Sequence, residues 1–395
     1  MARILLLLPT STYRASDFID AAGALGAEVV VASDRRQAMA RSMGARALRV
    51  DLRRPERAAA AIMAHARQLP FDAVIAVDDE GVLAAALASE QLGLPHNPPT
   101  AVARTRDKLA LRRALAGVVA QPGFRVADPA DDVGALAREL GLPVVVKPLS
   151  LSASRGVIRA DSPVEAAAAA ARVRDILACA GRSRDETLLI EEFVPGREVA
   201  VEGLLRGGHL EILAIFDKPD PLDGPFFEET IYVTPSREPA EVRSRIVATA
   251  SAAAHATGLR EGPVHAELRV HGDRVTFLEL AARSIGGLCA RSLRFGLGVR
   301  LEELILRHAL GLPLATLHRE PGASGVMMLP IARAGVLQEV RGTDHARAVP
   351  GVVGLEITVP RGRTVQPLPE GERYLGFLFA RGGTPQEVEA ALRAA

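Results

Sequence analysis

Lysine is nearly absent from this chain of 395 residues, although lysine and arginine together number 48. The three lysines are Lys108, Lys147 and Lys218, and only one asparagine and two cysteines occur. Two cysteines are too few for a disulfide framework or a cysteine-ligated metal cluster, which favours a reduced, cytoplasmic setting. A net charge of +1 provides no general attraction to nucleic acid or to an anionic membrane. We therefore expect neither of these as a partner.

Long hydrophobic runs are also missing. The apolar run at residues 4–8 is too short for a membrane span, and it lacks the length and the cleavage site of a signal peptide. It predicts instead the first buried strand of a parallel sheet. At 395 residues, with 48% hydrophobic residues, the chain is long enough for two or three domains.

The first hundred residues alternate short apolar runs with helical patterns. Strands are predicted at residues 4–8, 28–32, 47–50 and 73–77, and helices at residues 15–26, 36–43, 57–68 and 80–92. This alternation indicates a doubly wound parallel α/β sheet. Ligands meet such a sheet at the carboxyl ends of its strands, where residues 10–12 and 78–80 lie. No G-x-G-x-x-G follows the first strand, so a dinucleotide site is not expected.

The remaining chain is predicted to be α+β. The sequence His-Asn-Pro-Pro at residues 96–99 marks a domain boundary. Alternating strands then follow, including a hairpin of residues 264–270 and 274–280, before a tail with frequent glycine and proline. We predict domains at residues 1–98, 99–195, 196–320 and 321–395, the last a small C-terminal α+β lobe.

The strand at residues 144–148 carries Lys147 and runs into a loop of small residues. The loop contains Ser152, Ser154 and Gly156. Because arginine serves almost everywhere else, a retained lysine suggests a site that needs a compact point charge, such as a phosphate. The alternative is that three surface lysines remain by chance.

The predicted hairpin carries the second signal. Since side chains alternate along a strand, Glu267 shares a face with His265, and Glu279 shares a face with Arg283. Pairing these faces brings two carboxylates and a guanidinium together. Buried carboxylates need compensation, and Mg²⁺ suits hard oxygen ligands. The alternative is a solvated cross-strand ion pair.

These motifs together resemble the ATP-grasp superfamily. The resemblance rests on Lys108, the Lys147 strand and loop, the residues 191–194, Glu198, Glu267 and Glu279-x-x-x-Arg283. It covers essentially the whole chain and implies a pre-ATP-grasp α/β domain, two lobes that clasp the nucleotide, and a C-terminal lobe. Within the superfamily, residues 217–218, 229–236 and 374–377 are similar to the L-amino acid ligases.

The resemblance implies roles for individual residues. Lys108 and Lys147 would contact the α- and β-phosphates of ATP, and the loop residues 150–157 would cover the triphosphate through backbone amides. Adenine would be read by the segment between the lobes, and both ribose hydroxyls would bind Glu198. The nucleotide-binding set also includes Ser152, Ser154, Gly156, Val157, Glu191, Glu192, Phe193 and Val194.

The resemblance also implies a metal and a reaction centre. Glu267 and Glu279 would hold two Mg²⁺ ions, with Mn²⁺ as an alternative. Arg283 would stabilise the transferred phosphoryl group, and Lys218 would lie near the γ-phosphate. Contacts to the reacting carboxylate and amine would come from Glu229, Gly286 and Gly287. The chain departs from the ligases by having Tyr232 where they can carry histidine, and Gly287 where they can carry a bulky aromatic residue.

The implied activity is that of an ATP-dependent carboxylate–amine ligase acting on amino acids through an acyl-phosphate. One alternative is a carboxylating or formate-activating enzyme of the purine-synthesis or biotin-carboxylase type. Another is an ATP-binding regulator without turnover, although such a protein needs no complete phosphoryl-transfer set. The family also suggests a homodimer through the N-terminal domain.

Overall fold

The N-terminal domain is a parallel sheet covered by helices. The computed structural model describes residues 1–36, 43–314 and 316–395, so most of the helix predicted at 36–43 lies outside the described residues. The strands run in the order β3-β2-β1-β4: β1 Arg3–Leu7, β2 Glu28–Ser33, β3 Ala47–Arg49 and β4 Ala73–Ala76. The helices are α1 Ala15–Ala24, α2 Pro55–Ala66 and α3 Val82–Leu92.

The continuous apolar run of β1 reflects burial on both faces of this sheet. Ile4 and Leu6 pack into one hydrophobic cluster, whereas Leu5 and Leu7 pack into another. The strand order changes direction between β1 and β4, so the segments that follow these two strands flank the crevice where such sheets bind ligands. This confirms the predicted parallel domain.

A second layer is a four-stranded sheet of residues 124–192 in the order β5-β8-β6-β7, with antiparallel pairing. Its strands are β5 Phe124–Ala127, β6 Val144–Pro148, β7 Ile158–Ala160 and β8 Leu188–Glu192. The surrounding helices are α4 Pro99–Arg106, α5 Lys108–Ala114, α6 Val133–Leu140 and α7 Pro163–Cys179. Asp107 caps α5 by accepting the N–H groups of Leu109 and Ala110, which places Lys108 at the first turn.

The third layer is an eight-stranded antiparallel sheet in the order β13-β12-β9-β10-β11-β14-β18-β16. Its strands are β9 Arg197–Arg206, β10 His209–Lys218, β11 Ile231–Thr234, β12 Gly262–His271, β13 Arg274–Ala281, β14 Ala323–Leu329, β16 Val352–Ile357 and β18 Gly376–Gly382. A separate pair is formed by β15 Gly335–Val336 and β17 Thr364–Val365. The helices are α8 Ala240–Thr257, α9 Leu301–Ala309, α10 Thr343–Ala348 and α11 Pro385–Ala394.

The C-terminal strands extend the sheet that carries the predicted metal strands. Strand β14 pairs with β11, and β18 pairs with β14. The tail predicted as a small C-terminal α+β lobe shares a sheet with residues 197–281, because its strands continue the same hydrogen-bond ladder. Within the described residues, no helix is long and apolar enough to cross a membrane.

Candidate functional site

The buried ammonium of Lys218 contacts three carboxylates. Its Nζ donates to Oε1 of Glu198 at 2.6 Å, to Oε1 of Glu267 at 3.1 Å and to Glu229. Lys218 lies opposite Glu198 on β9, and β12 brings Glu267 in from the other side of β9. One oxygen of each carboxylate lies within 4.8 Å of the others. These hard oxygen donors suit Mg²⁺, and the ammonium already occupies a cation position among them.

The protonation of this cluster follows from burial and from Lys218. Burial alone would raise the pKa of Glu267, but Lys218 and His265 hold it well below its usual value. Burial raises the pKa of Glu229, helped by the neighbouring carboxylates. The hydroxyl of Tyr232 donates to Oε1 of Glu229 at 2.7 Å. Burial also raises the pKa of Tyr232 well above its usual value, so this residue acts as a hydrogen-bond donor and not as a base.

Strands β12 and β13 form the predicted hairpin. Glu267 lies directly opposite Glu279, and the pairing shifts by one residue immediately after Glu267. The two-residue turn contains Gly272 at φ +57°, a left-handed conformation that glycine adopts readily. The turn alone would pair Glu267 with Leu278, so it is the one-residue shift that sets the two carboxylates side by side. Glu279 is not among the three carboxylates around Lys218.

His265 connects Glu267 to a carboxylate in the core. Its Nδ1 lies 3.3 Å from Oε2 of Glu202, and its Nε2 lies 3.5 Å from Oε1 of Glu267. Glu202 is fully buried and also accepts the N–H of Ile285 at 2.9 Å. Burial lowers the pKa of His265, but the two glutamates outweigh it and raise the pKa to about 9. The protonated ring thus supports the carboxylate of Glu267 from behind.

Arg283 is held by the N-terminal domain. Its Nη2 donates to Oδ2 of Asp79 at 2.8 Å, and Nη1 of Arg106 lies 3.1 Å from Oδ1 of the same carboxylate. Asp79 follows β4 at the carboxyl end of the parallel sheet. Burial alone would raise the pKa of Asp79, but the two arginines hold it far below its usual value. The ligand crevice of the N-terminal sheet therefore adjoins the hairpin through an ion pair.

Lys147 belongs to a buried ion triad. Its Nζ lies 2.5 Å from Oε2 of Glu191, whose Oε1 accepts Nε of Arg112 at 2.6 Å. Glu191 is 3% exposed, so its side chain serves this triad and is not free for a nucleotide. Burial lowers the pKa of Lys147, although Glu191 opposes the shift. The strand placement predicted for Lys147 is correct, whereas its partners are found only in the folded chain.

The loop after β6 is held by hydrogen bonds within itself and to other parts of the protein. Lys108 Nζ donates to the carbonyl of Leu151 at 2.5 Å, and Gly156 N donates to the carbonyl of Pro369 at 2.9 Å. Val157 N donates to the carbonyl of Ser154 at 3.1 Å. The amides of Gly156 and Val157, two of those predicted to face a triphosphate, are therefore engaged within the protein. Ser152 lies on the same loop and is half-buried.

The segment between the two lobes offers a defined set of backbone groups. Glu192 N donates to the carbonyl of Gly123 at 2.9 Å, and Phe193 N donates to the carbonyl of Pro143 at 3.0 Å. In the described part of the chain, the N–H of Val194 has no hydrogen-bond acceptor. This group is therefore available to a ligand.

Gly286 and Gly287 differ in their surroundings. A Cβ at Gly286 would meet no atom within 4 Å, whereas one at Gly287 would lie 2.7 Å from Cε1 of Phe377. Gly287 also has φ +59°. The ring of Phe377 from β18 therefore lies where a side chain at Gly287 would begin.

Sequence reasoning missed several groups at this site. Arg112 and Glu202 are fully buried charged residues, and Arg269 donates through Nε to Oε2 of Glu198 at 3.1 Å. These residues lie inside predicted helices and strands, where nothing in the sequence distinguishes a buried charged residue from an exposed one. Asp79 could have been found from its position at the end of a parallel strand, but its partner Arg283 is distant in sequence.

Three domain families match consecutive parts of the chain. They are the ATP-grasp N-terminal domain at residues 19–96, the ATP-grasp domain at residues 140–292 and the L-amino acid ligase C-terminal domain 2 at residues 327–395. The crystal structure of L-amino acid ligase from Bacillus licheniformis has a TM-score of 0.81 at 24% identity, covering 100% of this chain and 96% of that chain. That likeness shows the fold.

Two curated relatives extend the comparison. Alanine–anticapsin ligase of Bacillus subtilis is 28% identical over 274 residues, which cover 63% of this chain and 57% of the relative. The formate-dependent phosphoribosylglycinamide formyltransferase of Paraburkholderia xenovorans is 30% identical over 322 residues, which cover 78% of this chain and 74% of the relative. The chain thus spans little more than half the length of the alanine–anticapsin ligase that it matches. It belongs to the ATP-grasp superfamily, and its C-terminal domain is of the L-amino acid ligase type.

Proposed function

We propose that this protein is an ATP-dependent carboxylate–amine ligase that forms an amide or peptide bond between two small molecules, with amino acids as the substrate class. The observation that carries the proposal is the convergence of the Lys218 cluster, the Glu267–Glu279 pair and Arg283 beside the crevice of the N-terminal sheet. Alanine–anticapsin ligase, named for an amino acid substrate, supports this class.

The residues fit ATP and Mg²⁺. Paired carboxylates on β12 and β13 provide the hard oxygen donors that Mg²⁺ prefers, and Lys218 shows that a cation is accommodated beside Glu267. Glu267 and Glu279 would hold the metal, which supplies charge neutralisation for the phosphates. Lys108 and Lys147 would contact the phosphates. Glu198 would accept the ribose hydroxyls in exchange for its present contacts with Lys218 and Arg269.

The proposed reaction has two steps. A carboxylate oxygen of the first substrate attacks the γ-phosphorus, the bond to the bridging oxygen breaks, and ADP leaves. The amine of the second substrate then attacks the acyl carbon of the acyl-phosphate, the carbon–oxygen bond breaks, and phosphate leaves with the proton of the amine. Arg283 would stabilise the negative charge on the transferred group, while Glu229 and Gly286 would contact the reacting carboxylate and amine.

The test is phosphate release from ATP and Mg²⁺ over a panel of paired amino acids, with products identified by mass spectrometry. A product mass equal to both substrates minus water, formed only when the amine is present, supports the ligase. Glu267→Gln should abolish release, whereas Glu139→Gln, an exposed residue on α6, should not change it. Turnover in Glu267→Gln equal to wild type would contradict the assigned metal role.

The second candidate is a formate- or bicarbonate-activating enzyme, which the formyltransferase relative favours. It predicts no turnover with amino acid pairs, and phosphate release when formate or bicarbonate is added. ATP binding without turnover under any condition would indicate a regulator instead.

We further propose a cytoplasmic homodimer formed through the N-terminal domain. Light scattering in solution measures the oligomeric state, and a monomeric mass would contradict the dimer.

A further inference from the structure

A cleft lies between the strands of the C-terminal region and the segment that follows the predicted reaction centre. Its volume is about 580 Å³. The charged residues of this arginine cleft are Arg291, Arg294, Arg347, Arg381, Glu320 and Glu356. None of the residues predicted to bind the nucleotide or the metal lines it. The cleft is therefore separate from the site described above.

Two of the four arginines are neutralised by carboxylates. Arg381 Nη1 lies 3.1 Å from Oε2 of Glu320, and Arg291 pairs with both Glu356 and Asp17. These pairs account for both glutamates of the cleft. The remaining positive charge must come from the other two arginines.

Arg294 and Arg347 contact backbone carbonyls instead of carboxylates. Arg294 Nη1 donates to the carbonyl of Leu293 at 2.7 Å, and Arg347 Nη2 donates to the carbonyl of Leu355 at 2.7 Å. Among the described residues, no carboxylate oxygen lies within 4.0 Å of either guanidinium, while Arg291 and Arg381 each have such a partner. The cleft thus presents two uncompensated positive charges.

The neighbourhood of Arg294 confirms the excess of positive charge. Burial lowers the pKa of Arg294, and the charges of Arg381 and Arg300 lower it further, outweighing the opposing effect of Glu302 and Glu320. Arg319 shows the same behaviour, since burial and the charge of Arg381 lower its pKa as well. An anion in the cleft would relieve this repulsion.

The size and the apolar walls of the cleft favour a ligand larger than an inorganic ion. A volume of about 580 Å³ falls within the range of small-molecule sites and exceeds the needs of a single phosphate. Val353, Leu355 and Phe379 supply apolar walls beside the charges. Guanidinium groups bind phosphate oxygens through paired hydrogen bonds, and one phosphoryl group near neutral pH carries close to two negative charges.

We propose that the arginine cleft binds a small organic molecule bearing a phosphate monoester, with the phosphoryl group between Arg294 and Arg347 and the organic part against Phe379. This site is independent of the ligase reaction and of its nucleotide.

The test uses phenyl phosphate, which combines a dianionic group with an apolar ring, in isothermal titration calorimetry of the full chain. Arg294→Gln/Arg347→Gln should weaken binding by about tenfold or more, because both uncompensated charges are lost. The matched control is Arg57→Gln/Arg138→Gln, which removes the same charge from two exposed arginines and should bind as wild type does.

A third protein separates the cleft from the nucleotide site. Lys108→Gln/Lys147→Gln should retain binding to the cleft, since neither lysine lines it. Loss of binding in this variant with retention in Arg294→Gln/Arg347→Gln would place the probe in the nucleotide site and overturn the proposal. If the double arginine variant does not fold, Arg347→Gln alone, at an exposed position on α10, should still weaken binding, and unchanged affinity would refute the site.

Discussion

Replacing Lys218 with methionine should destabilise the protein strongly in the absence of a divalent cation. The side chain of Lys218 is 3% exposed, and its Nζ contacts Glu198, Glu229 and Glu267. After the substitution, Glu198 retains Arg269 and Glu267 retains His265, but Glu229 keeps only the hydroxyl of Tyr232. Leaving a buried charge uncompensated costs about 3–5 kcal/mol. We expect a loss of that size in the free energy of unfolding.

Mg²⁺ should restore part of this stability. Without the ammonium, three carboxylate oxygens within 4.8 Å of one another remain for a divalent cation. A ligand at a hundred times its dissociation constant stabilises the folded state by about 2.7 kcal/mol. Mg²⁺ should therefore raise the stability of Lys218→Met more than that of the wild type, in which the lysine competes for the same oxygens.

The assay is urea unfolding with EDTA and with excess Mg²⁺. Lys147→Met is the matched control, because it also removes a buried lysine but leaves Glu191 paired with Arg112 at 2.6 Å. We expect a smaller loss of about 1.5–3 kcal/mol for this control and no difference in its response to Mg²⁺ relative to the wild type. Equal stability of Lys218→Met and the wild type in EDTA would refute the reasoning, as would an equal gain from Mg²⁺.

Three further predictions concern the surrounding groups. Lys147→Arg should lose most turnover in the phosphate-release assay despite keeping its charge, because arginine cannot reproduce a compact point charge. Unchanged activity would contradict the special role given to lysine at this position. Asp79→Asn should lower stability by about 3–5 kcal/mol at neutral pH. Because the pKa of Asp79 is depressed in the folded protein, the difference in free energy of unfolding between the wild type and the variant is present above about pH 4 and shrinks as the pH falls. Unfolding measured at several pH values tests this. Gly287→Ala should cost about 1–3 kcal/mol because its Cβ meets Phe377, and Phe377→Leu in the same protein should recover part of that loss.

Much of the fold was predictable because it depends on neighbours in sequence. The alternation of polar and apolar residues, together with a two-residue turn at Gly272, was sufficient to predict a hairpin that carries both carboxylates, but only the one-residue shift in pairing after Glu267 places Glu267 opposite Glu279. The N-terminal parallel sheet followed from the regular spacing of apolar runs. The tail was harder, since its strands pair with β11 and with one another across long separations. No local pattern indicates that a late strand will extend an earlier sheet.

The site was predictable in its residue types but not in its contacts. Lys147 was identified by its rarity, but its partner Arg112 lies on a helix and looks like any other arginine in the sequence. Gly287 was noted only as a departure from the ligases, and the packing of β18 shows that Phe377 lies against it. Such contacts depend on which strands and helices become neighbours.

The sequence by itself determined the alternation of strands and helices in the N-terminal domain, the rare lysines and the presence of two carboxylates on one hairpin, because each depends on composition or on spacing along one or two strands. The ATP-grasp domain order followed from the resemblance to that superfamily. The tertiary structure alone decided that Lys218 compensates three carboxylates. It alone decided that Asp79 forms an ion pair with Arg283, which lies 204 positions further along the chain. It also decided which arginines lack a carboxylate partner. The physical reason is that charge compensation depends on distance in space. Those distances are set by the strand order, which cannot be inferred from any single segment of the chain.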